Sequence, residues 1–368
     1  MLKAVKGQDI AVRMLENELE SNRLPGALLF HGPVGCGKFF TSIELSRTLN
    51  CTESGHFNCT CPSCTQTRKL LSRNVFLITR GDLRNIFNLW KRFGVRKERI
   101  DNFMHDVRRL VSSIYHEDRP GRDISVLEDF IRCRGEKINN FQEVIDCIYR
   151  VLDSHKGKLI SINSIRNLQR FLSLKSGDAA CKVVIIEGAE RMTEEAANSF
   201  LKISEETPPN AVIIITTVDK DLLKDTINSR FRAYRFVGLS EDVYKGVLLS
   251  HFGHEENRAL VEKRYDIDVI RAYFERIKEQ GLDLESLTGI IDEIIAKDHT
   301  ISFLDCTLDT LREKIPDLHR SNMGSVYDLE VNIKNVSFIK RSIMVNNVNQ
   351  EIALTDFILN NFFNLMKH

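Results

Sequence analysis

The stretch from Leu28 to Ser42, LLFHGPVGCGKFFTS, constrains this chain more than any other. An apolar run ends at a glycine-rich turn, and Lys38 then opens the helical pattern FFTSIELSRTL. Strand, loop, lysine and helix in that order satisfy the phosphate-binding pattern G-x-x-x-x-G-K, which calls for an α/β architecture. Gly32, Pro33, Gly35, Gly37 and Lys38 are the candidate phosphate-binding residues. Glycines let backbone N–H groups face phosphate oxygens, the helix N-terminus adds partial positive charge, and the lysine reaches the outer phosphates. A glycine turn without a ligand is the plainer alternative. The position after the lysine ordinarily offers a hydroxyl to Mg²⁺, a cation that demands oxygen ligands in octahedral geometry. Phe39 stands there instead, and Thr41 is turned about 200° further round the helix.

Four more short apolar runs accompany the first: NVFLIT, CKVVIIEG, AVIIITT and YRFVGL. Runs of this length with near-continuous apolar character read as strands buried on both faces by helices. EEAANSFLKISEE, ahead of Pro208 and Pro209, is one such helix. A parallel sheet is therefore expected up to about Gly238, and after Leu239 only amphipathic helical patterns follow, with Ser240 as the first N-cap. With 368 residues the chain exceeds one ordinary core. The expected domains are an α/β nucleotide-binding-fold domain at 1–239, a small helical domain at 240–295 and a C-terminal helical domain at 296–368. Residues 83–157 interrupt the sheet pattern as a helical insertion, in which Phe103, Val107, Leu110, Val111 and Ile114 fall at helical spacing, as do Phe141, Val144, Ile145 and Ile148. Its basic segment, RNIFNLWKRFGVRKER, holds Trp90, expected in a small core beneath a solvated basic face rather than on a nucleic-acid backbone.

Nucleotide hydrolysis also needs a carboxylate at the end of a neighbouring strand, commonly with a second acid that polarises water. The strand KVVIIE ends in Glu187, a candidate metal-side residue, but Gly188 follows it. Glu190, three residues on, reads as a solvated acid at a helix start. Two losses, at Phe39 and Gly188, point to ATP or ADP binding without Mg²⁺-dependent hydrolysis.

Cys51, Cys59, Cys61 and Cys64 form C-x7-C-x-C-x2-C in a chain whose start lacks an export signal. Four thiolates in so short a span suit a closed, structural zinc site at 51–64. Reduced cysteines, a disulfide, or His56 in place of one thiolate are the alternatives. The other five cysteines, Cys36, Cys133, Cys147, Cys181 and Cys306, read as small hydrophobes. A formal net charge of +1 gives no global attraction to polyanions, and no apolar run is long enough to cross a membrane, so a cytoplasmic protein is expected.

In their order along the chain, KGQDIAVRMLENELESNRLPGALLFHGPVGCGK, CTESGHFNCTCPSC, INSIRNLQRFLSLKSGDAACKVVIIEGAERMTEEAANSFLKISEETPPNAVIIITT and LLKDTINSRFRAYRF resemble the clamp-loader subunits of bacterial DNA polymerase III. These are AAA+ ATPase-fold proteins. The resemblance covers 1 to about 80 and about 158 to 240, is weaker over NNVNQEIALTDFILNNFF near the C-terminus, and leaves 83–157 outside. It implies a zinc module after the phosphate-loop helix, spaced C-x8-C-x2-C-x2-C in the family and shorter by one residue in two gaps here. It also implies a helical lid at 240–295 and an oligomerising collar at 296–368. The gamma/tau branch hydrolyses ATP; the delta-prime branch is a stator with an impaired site, and Phe39 and Gly188 align this chain with it. Arg230 in INSRF matches the family's Ser-Arg-Cys element, with Phe231 in the cysteine's place, which implies an arginine finger reaching a neighbour's ATP site. A guanidinium always carries its charge and suits a developing phosphoryl anion. The implied partners are gamma/tau and delta subunits in a hetero-pentameric ring, with the sliding clamp and primed DNA reached through the complex. A gamma/tau-type ATPase and a zinc-containing DNA-binding adaptor are the competing functions.

Overall fold

A computed structural model describes residues 1–80, 83–114, 122–133, 141–154, 159–174, 181–254, 267–280, 284–296, 300, 303–304, 307–308, 331, 334–339, 342–343 and 349–358. The chain divides into two compact units, Met1–Arg258 and Ala259–His368.

In the first unit, five parallel strands lie in the order β2-β3-β4-β1-β5. They are β1 (Ala27–His31), β2 (Val75–Thr79), β3 (Lys182–Glu187), β4 (Ala211–Thr217) and β5 (Arg232–Arg235). Every residue of β4 is buried, as are the first five of β3, because helices cover both faces of a parallel sheet. The strand expected in YRFVGL begins two residues earlier, at Arg232. It pairs only with β1, so a single buried residue, Tyr234, anchors an otherwise exposed edge, and an apolar run is a poor guide to its position. Register aligns the carboxyl ends of four strands: His31 faces Thr217, Thr79 faces Glu187, and Glu187 faces Thr216. In open α/β sheets this is the end where ligands bind.

Helices α1 (Asp9–Glu20), α2 (Lys38–Leu49) and α3 (Pro62–Arg68) precede β2. The insertion is helical: α4 (Leu83–Phe93), α5 (Ile100–Ile114), α6 (Arg122–Arg132) and α7 (Phe141–Ser154). Each buries one stripe, for instance Phe87 and Trp90, Phe103 and Val107, Leu127 and Phe130, and Val144 and Ile148. The side chains of Ile114 and Phe141 lie outside the described residues. Trp90 is in a core, as its surroundings in sequence suggest, with its ring 5.5 Å from Phe103 and 4.6 Å from Phe252. α5 also packs against β2, which brings it to the carboxyl end of the sheet.

Helix α8 (Ile162–Ser173) starts at Ser161 and α9 (Glu194–Glu205) at Thr193, each with its side-chain oxygen accepting from a backbone N–H of the first turn. The short α10 (Asp225–Asn228) and then α11 (Glu241–Phe252) complete the first unit. Ser240 precedes α11 as expected, without a side-chain capping bond.

The second unit is helical wherever it is described, with helices at Ile267–Gln280, Leu284–Ala296 and Gln350–Phe357. Tyr273, Phe274, Ile277, Ile290, Ile294, Phe303, Leu354 and Phe357 form its core. Much of 296–368 lies outside the described residues. Cys306 is among these, while Cys36 and Cys147 are buried thiols, as small hydrophobes should be.

Candidate functional site

Between β1 and α2 the chain reverses through Gly32, Gly35 and Gly37, all with positive φ. Gly32 has the strictest requirement: a Cβ there would lie 2.2 Å from the carbonyl oxygen of Phe236. Gln8, buried at the start of α1, ties the loop to the strand beyond it. Its amide nitrogen donates to the carbonyls of Cys36 at 3.0 Å and Val237 at 2.7 Å, and its oxygen accepts from the Val237 amide at 2.9 Å. Nothing in a single sequence distinguishes Gln8 from an ordinary polar residue. Lys38 lies buried beneath the loop and donates to the carbonyls of Gly32 and, at 2.6 Å, Pro33. Burial pushes its ammonium below the ordinary lysine range, with the nearby Cys36, Glu190 and Glu187 opposing that shift. The five expected phosphate-loop residues are therefore brought together around one turn.

The magnesium side is built differently. Phe39 turns its ring under the guanidinium of Arg109, whose central carbon is 3.8 Å from the ring centroid. Arg109, on α5 of the insertion, grips Glu187 with a fork: Nε donates to Oε2 at 3.2 Å and a terminal nitrogen donates to Oε1. Thr79 at the end of β2 donates its hydroxyl to the same carboxylate. Both carboxylate oxygens are thus engaged by protein donors, and both partners of the pair are largely buried. Thr41 gives its hydroxyl to the carbonyl of Gly37 at 2.8 Å, so it does not substitute for the absent oxygen at Phe39. Gly188 has a backbone reason to be glycine: its φ is +75°, and a Cβ would come within 3.3 Å of the Arg80 carbonyl oxygen. The donor set does not fit a magnesium ion, because hard oxygen ligands are replaced by an aromatic ring and a guanidinium.

One expectation fails here. Glu190 reads in sequence as a solvated acid, yet it is buried, and its Oε2 has no hydrogen-bond partner among the described residues. It sits in the short 3₁₀ turn Ala189–Arg191, where Ala189 and Glu190 are both buried. Burial raises its carboxyl above the usual range, against a hydrogen bond with Thr217 and the nearby charges of Arg191 and Lys38. Arg109 carried no signal at all, because its partner lies 78 residues away.

Arg230 follows α10 and is exposed. It donates to Glu205 at the end of α9, with Nε 2.9 Å from Oε1, and to the Thr226 carbonyl at 2.7 Å. Phe231 turns inward, buried, and stacks on Phe200 at 5.8 Å. An aromatic core contact therefore holds the backbone that presents Arg230.

The four cysteines meet at the end of α2. Their Sγ atoms all lie within 4.8 Å of one another, and none forms a disulfide. Backbone amides point at the sulfurs, Gly55 at Cys51 (3.2 Å) and Cys64 at Cys61 (3.5 Å), as thiolates require. Hydrogen bonds from Thr52 and the Cys64 amide pull Cys61 down to about 6, while burial pushes Cys64 up. His56 is exposed and outside this group, so the thiols are the ligand set that fits a soft, tetrahedral ion such as zinc. A buried ion pair anchors the group: Glu44 of α2 accepts from Arg47 at 2.8 Å and from Arg68 of α3 at 2.9 Å. Arg47 also donates to the His56 carbonyl and to Cys64 Sγ.

The family model described as DNA polymerase III, delta subunit, matches residues 7–115 and 127–240. A DNA polymerase III subunit delta' of Haemophilus influenzae is 32% identical over 95 residues, which is 26% of this chain and 29% of that protein. The corresponding subunit of Buchnera aphidicola is 28% identical over 91 residues, 25% of this chain and 27% of that protein. The aligned part thus spans under a third of either relative. A crystal structure of a DNA polymerase III gamma subunit-related protein from Thermotoga maritima aligns at 19% identity with a TM-score of 0.28, covering 57% of this chain and 81% of that one. The family match corrects the limits of the resemblance: it runs through α4 and α5, so most of the insertion, Arg109 included, lies inside it.

Proposed function

Because the chain belongs to the DNA polymerase III delta subunit family, with a parallel α/β domain that fits an AAA+ fold, we propose that it is a delta-prime-type clamp-loader stator. In this reading it hydrolyses no ATP itself. It stands in a ring with gamma/tau and delta-type subunits, supports ATP-driven loading of a sliding clamp on primed DNA, and lends Arg230 to a neighbour's ATP site. The observation that carries the reading is the divided state of its own site. Loop glycines and Lys38 keep the phosphate-gripping half, while Phe39 lacks the hydroxyl that would ligate magnesium and Gly188 lacks the acid that would polarise water.

Arg230 supports the reading by its placement. It is exposed, its charge is permanent, and Glu205 and the Thr226 carbonyl hold it at the end of α10. Glu205 would have to release it on docking, an exchange of one anionic partner for a phosphate. Residues 240–295 would form the lid and 296–368 the collar, and the four thiols would hold a structural zinc ion. None of these takes part in chemistry.

The test is a reconstituted loader carrying Arg230→Ala. Loss of one arginine finger should lower DNA-stimulated turnover at the dependent site by about 10³-fold. Unchanged turnover and clamp loading would remove the finger from the account.

A further inference from the structure

We propose that Arg109 is the resident cation of the degenerate site, standing where a divalent metal would otherwise sit, and that the phosphate loop accepts the phosphates of a metal-free nucleoside di- or triphosphate. The proposal rests on the stator reading, since a hydrolysing site would need the metal.

Magnesium at a phosphate loop does two things: it is held by protein oxygens, and it neutralises phosphate charge. Arg109 meets the first requirement by other means, and it takes up the Glu187 charge that a metal would otherwise take up. Its forked donors bind Glu187 through both carboxylate oxygens, as a bidentate guanidinium pair does, and its face rests 3.8 Å from the Phe39 ring centroid. The two replacements are complementary. A hydroxyl at position 39 would ligate a metal and offer the guanidinium no apolar shelf, whereas the phenyl ring excludes the metal and supports the guanidinium. Thr79 completes the arrangement by donating to the same carboxylate. A magnesium ion would have to strip a buried arginine from its partner and still find no ligand at residue 39.

The charges nearby favour an anion without any metal. Lys38 and Arg109 are cationic; Glu187 is balanced by Arg109, and burial favours the neutral form of Glu190. That leaves the Lys38 ammonium, seated on the Gly32 and Pro33 carbonyls, together with the start of α2 behind Gly37. Both are positive groups that a phosphate can engage directly. The insertion thereby acquires a role in the site: α5 carries the cation to the end of β3.

The experiment measures ATP and ADP binding by titration calorimetry on the full chain, in magnesium and in EDTA. Wild type should bind at least as tightly in EDTA as in magnesium. Arg109→Ala should weaken binding in EDTA by about tenfold or more, because Glu187 is then left as an unbalanced negative charge beside the phosphate site. Arg109→Lys, which keeps the charge, should recover part of that loss, and thermal unfolding confirms that both variants fold. In the double variant Phe39→Ser, Arg109→Ala, binding should become magnesium-dependent. The proposal is overturned if wild type binds nucleotide only with magnesium, if it binds none in either condition, or if Arg109→Ala leaves binding in EDTA unchanged. A magnesium requirement in wild type with an intact Arg230→Ala defect would sink this inference alone and leave the stator reading standing.

Discussion

Two places in this chain have the sequence signature of a metal, and they resolve in opposite directions. At Cys51, Cys59, Cys61 and Cys64 every donor a tetrahedral ion needs is present and within reach of the others. At the phosphate loop the lysine and glycines are in place, yet a ring replaces the metal's hydroxyl, a glycine replaces the second acid, and an arginine holds the remaining carboxylate. The difference lies in how the donors are brought together. The thiols come from one short segment around α3, so a local pattern is enough to specify the site. The magnesium site depends on a loop, a strand end and a distant helix, and a change in any one of them converts it to something else.

The largest effect that would sharpen this contrast is at the thiols. Protein purified without chelators should carry about one equivalent of zinc, and its removal or Cys64→Ser should unfold the 51–64 module, since the free energy of a structural ion is folding free energy. Metal analysis giving less than about half an equivalent would put both regions in the same class. A smaller loss is expected from Glu44→Ala, which leaves the fully buried Arg47 without its carboxylate. Breaking one partner of a buried pair costs about 3–5 kcal/mol, readable in a denaturant midpoint. An unchanged midpoint would mean that the metal alone holds α3 to α2.

The smallest effect is a pH dependence at the phosphate loop. Burial raises the Glu190 carboxyl in the folded chain, so the stability it contributes is complete below the unfolded value. That stability is lost as pH rises through the raised folded value. Glu190→Gln should therefore be more thermostable than wild type at neutral pH, with the advantage shrinking on acidification. A constant difference across pH would show that Glu190 does not titrate between the two states.

How far these features were legible follows the same division. β3 and β4 in the middle of the sheet are buried along nearly their whole length, so their apolar runs mark them directly, whereas β5, an edge strand with one buried residue, is displaced from its run. The phosphate loop and cysteine cluster are readable because their residues are contiguous. Phe39 and Gly188 could be seen as absences, and Gly188 proves to be fixed by its own backbone. What filled the vacated place could not be seen: Arg109 is one of two adjacent arginines on an amphipathic helix until α5 packs against β2. Glu190 misled because an acid at a turn start is ordinarily solvated, and only the tertiary fold buries it.

The central claim is that this chain keeps the grip on phosphate and has given up the metal chemistry. The most direct measurement is ATP turnover by the purified chain alone, with magnesium, beside its Lys38→Ala variant. The account predicts no turnover in wild type beyond that of the variant. Magnesium-dependent turnover abolished by Lys38→Ala would contradict it and make the chain a gamma/tau-type ATPase.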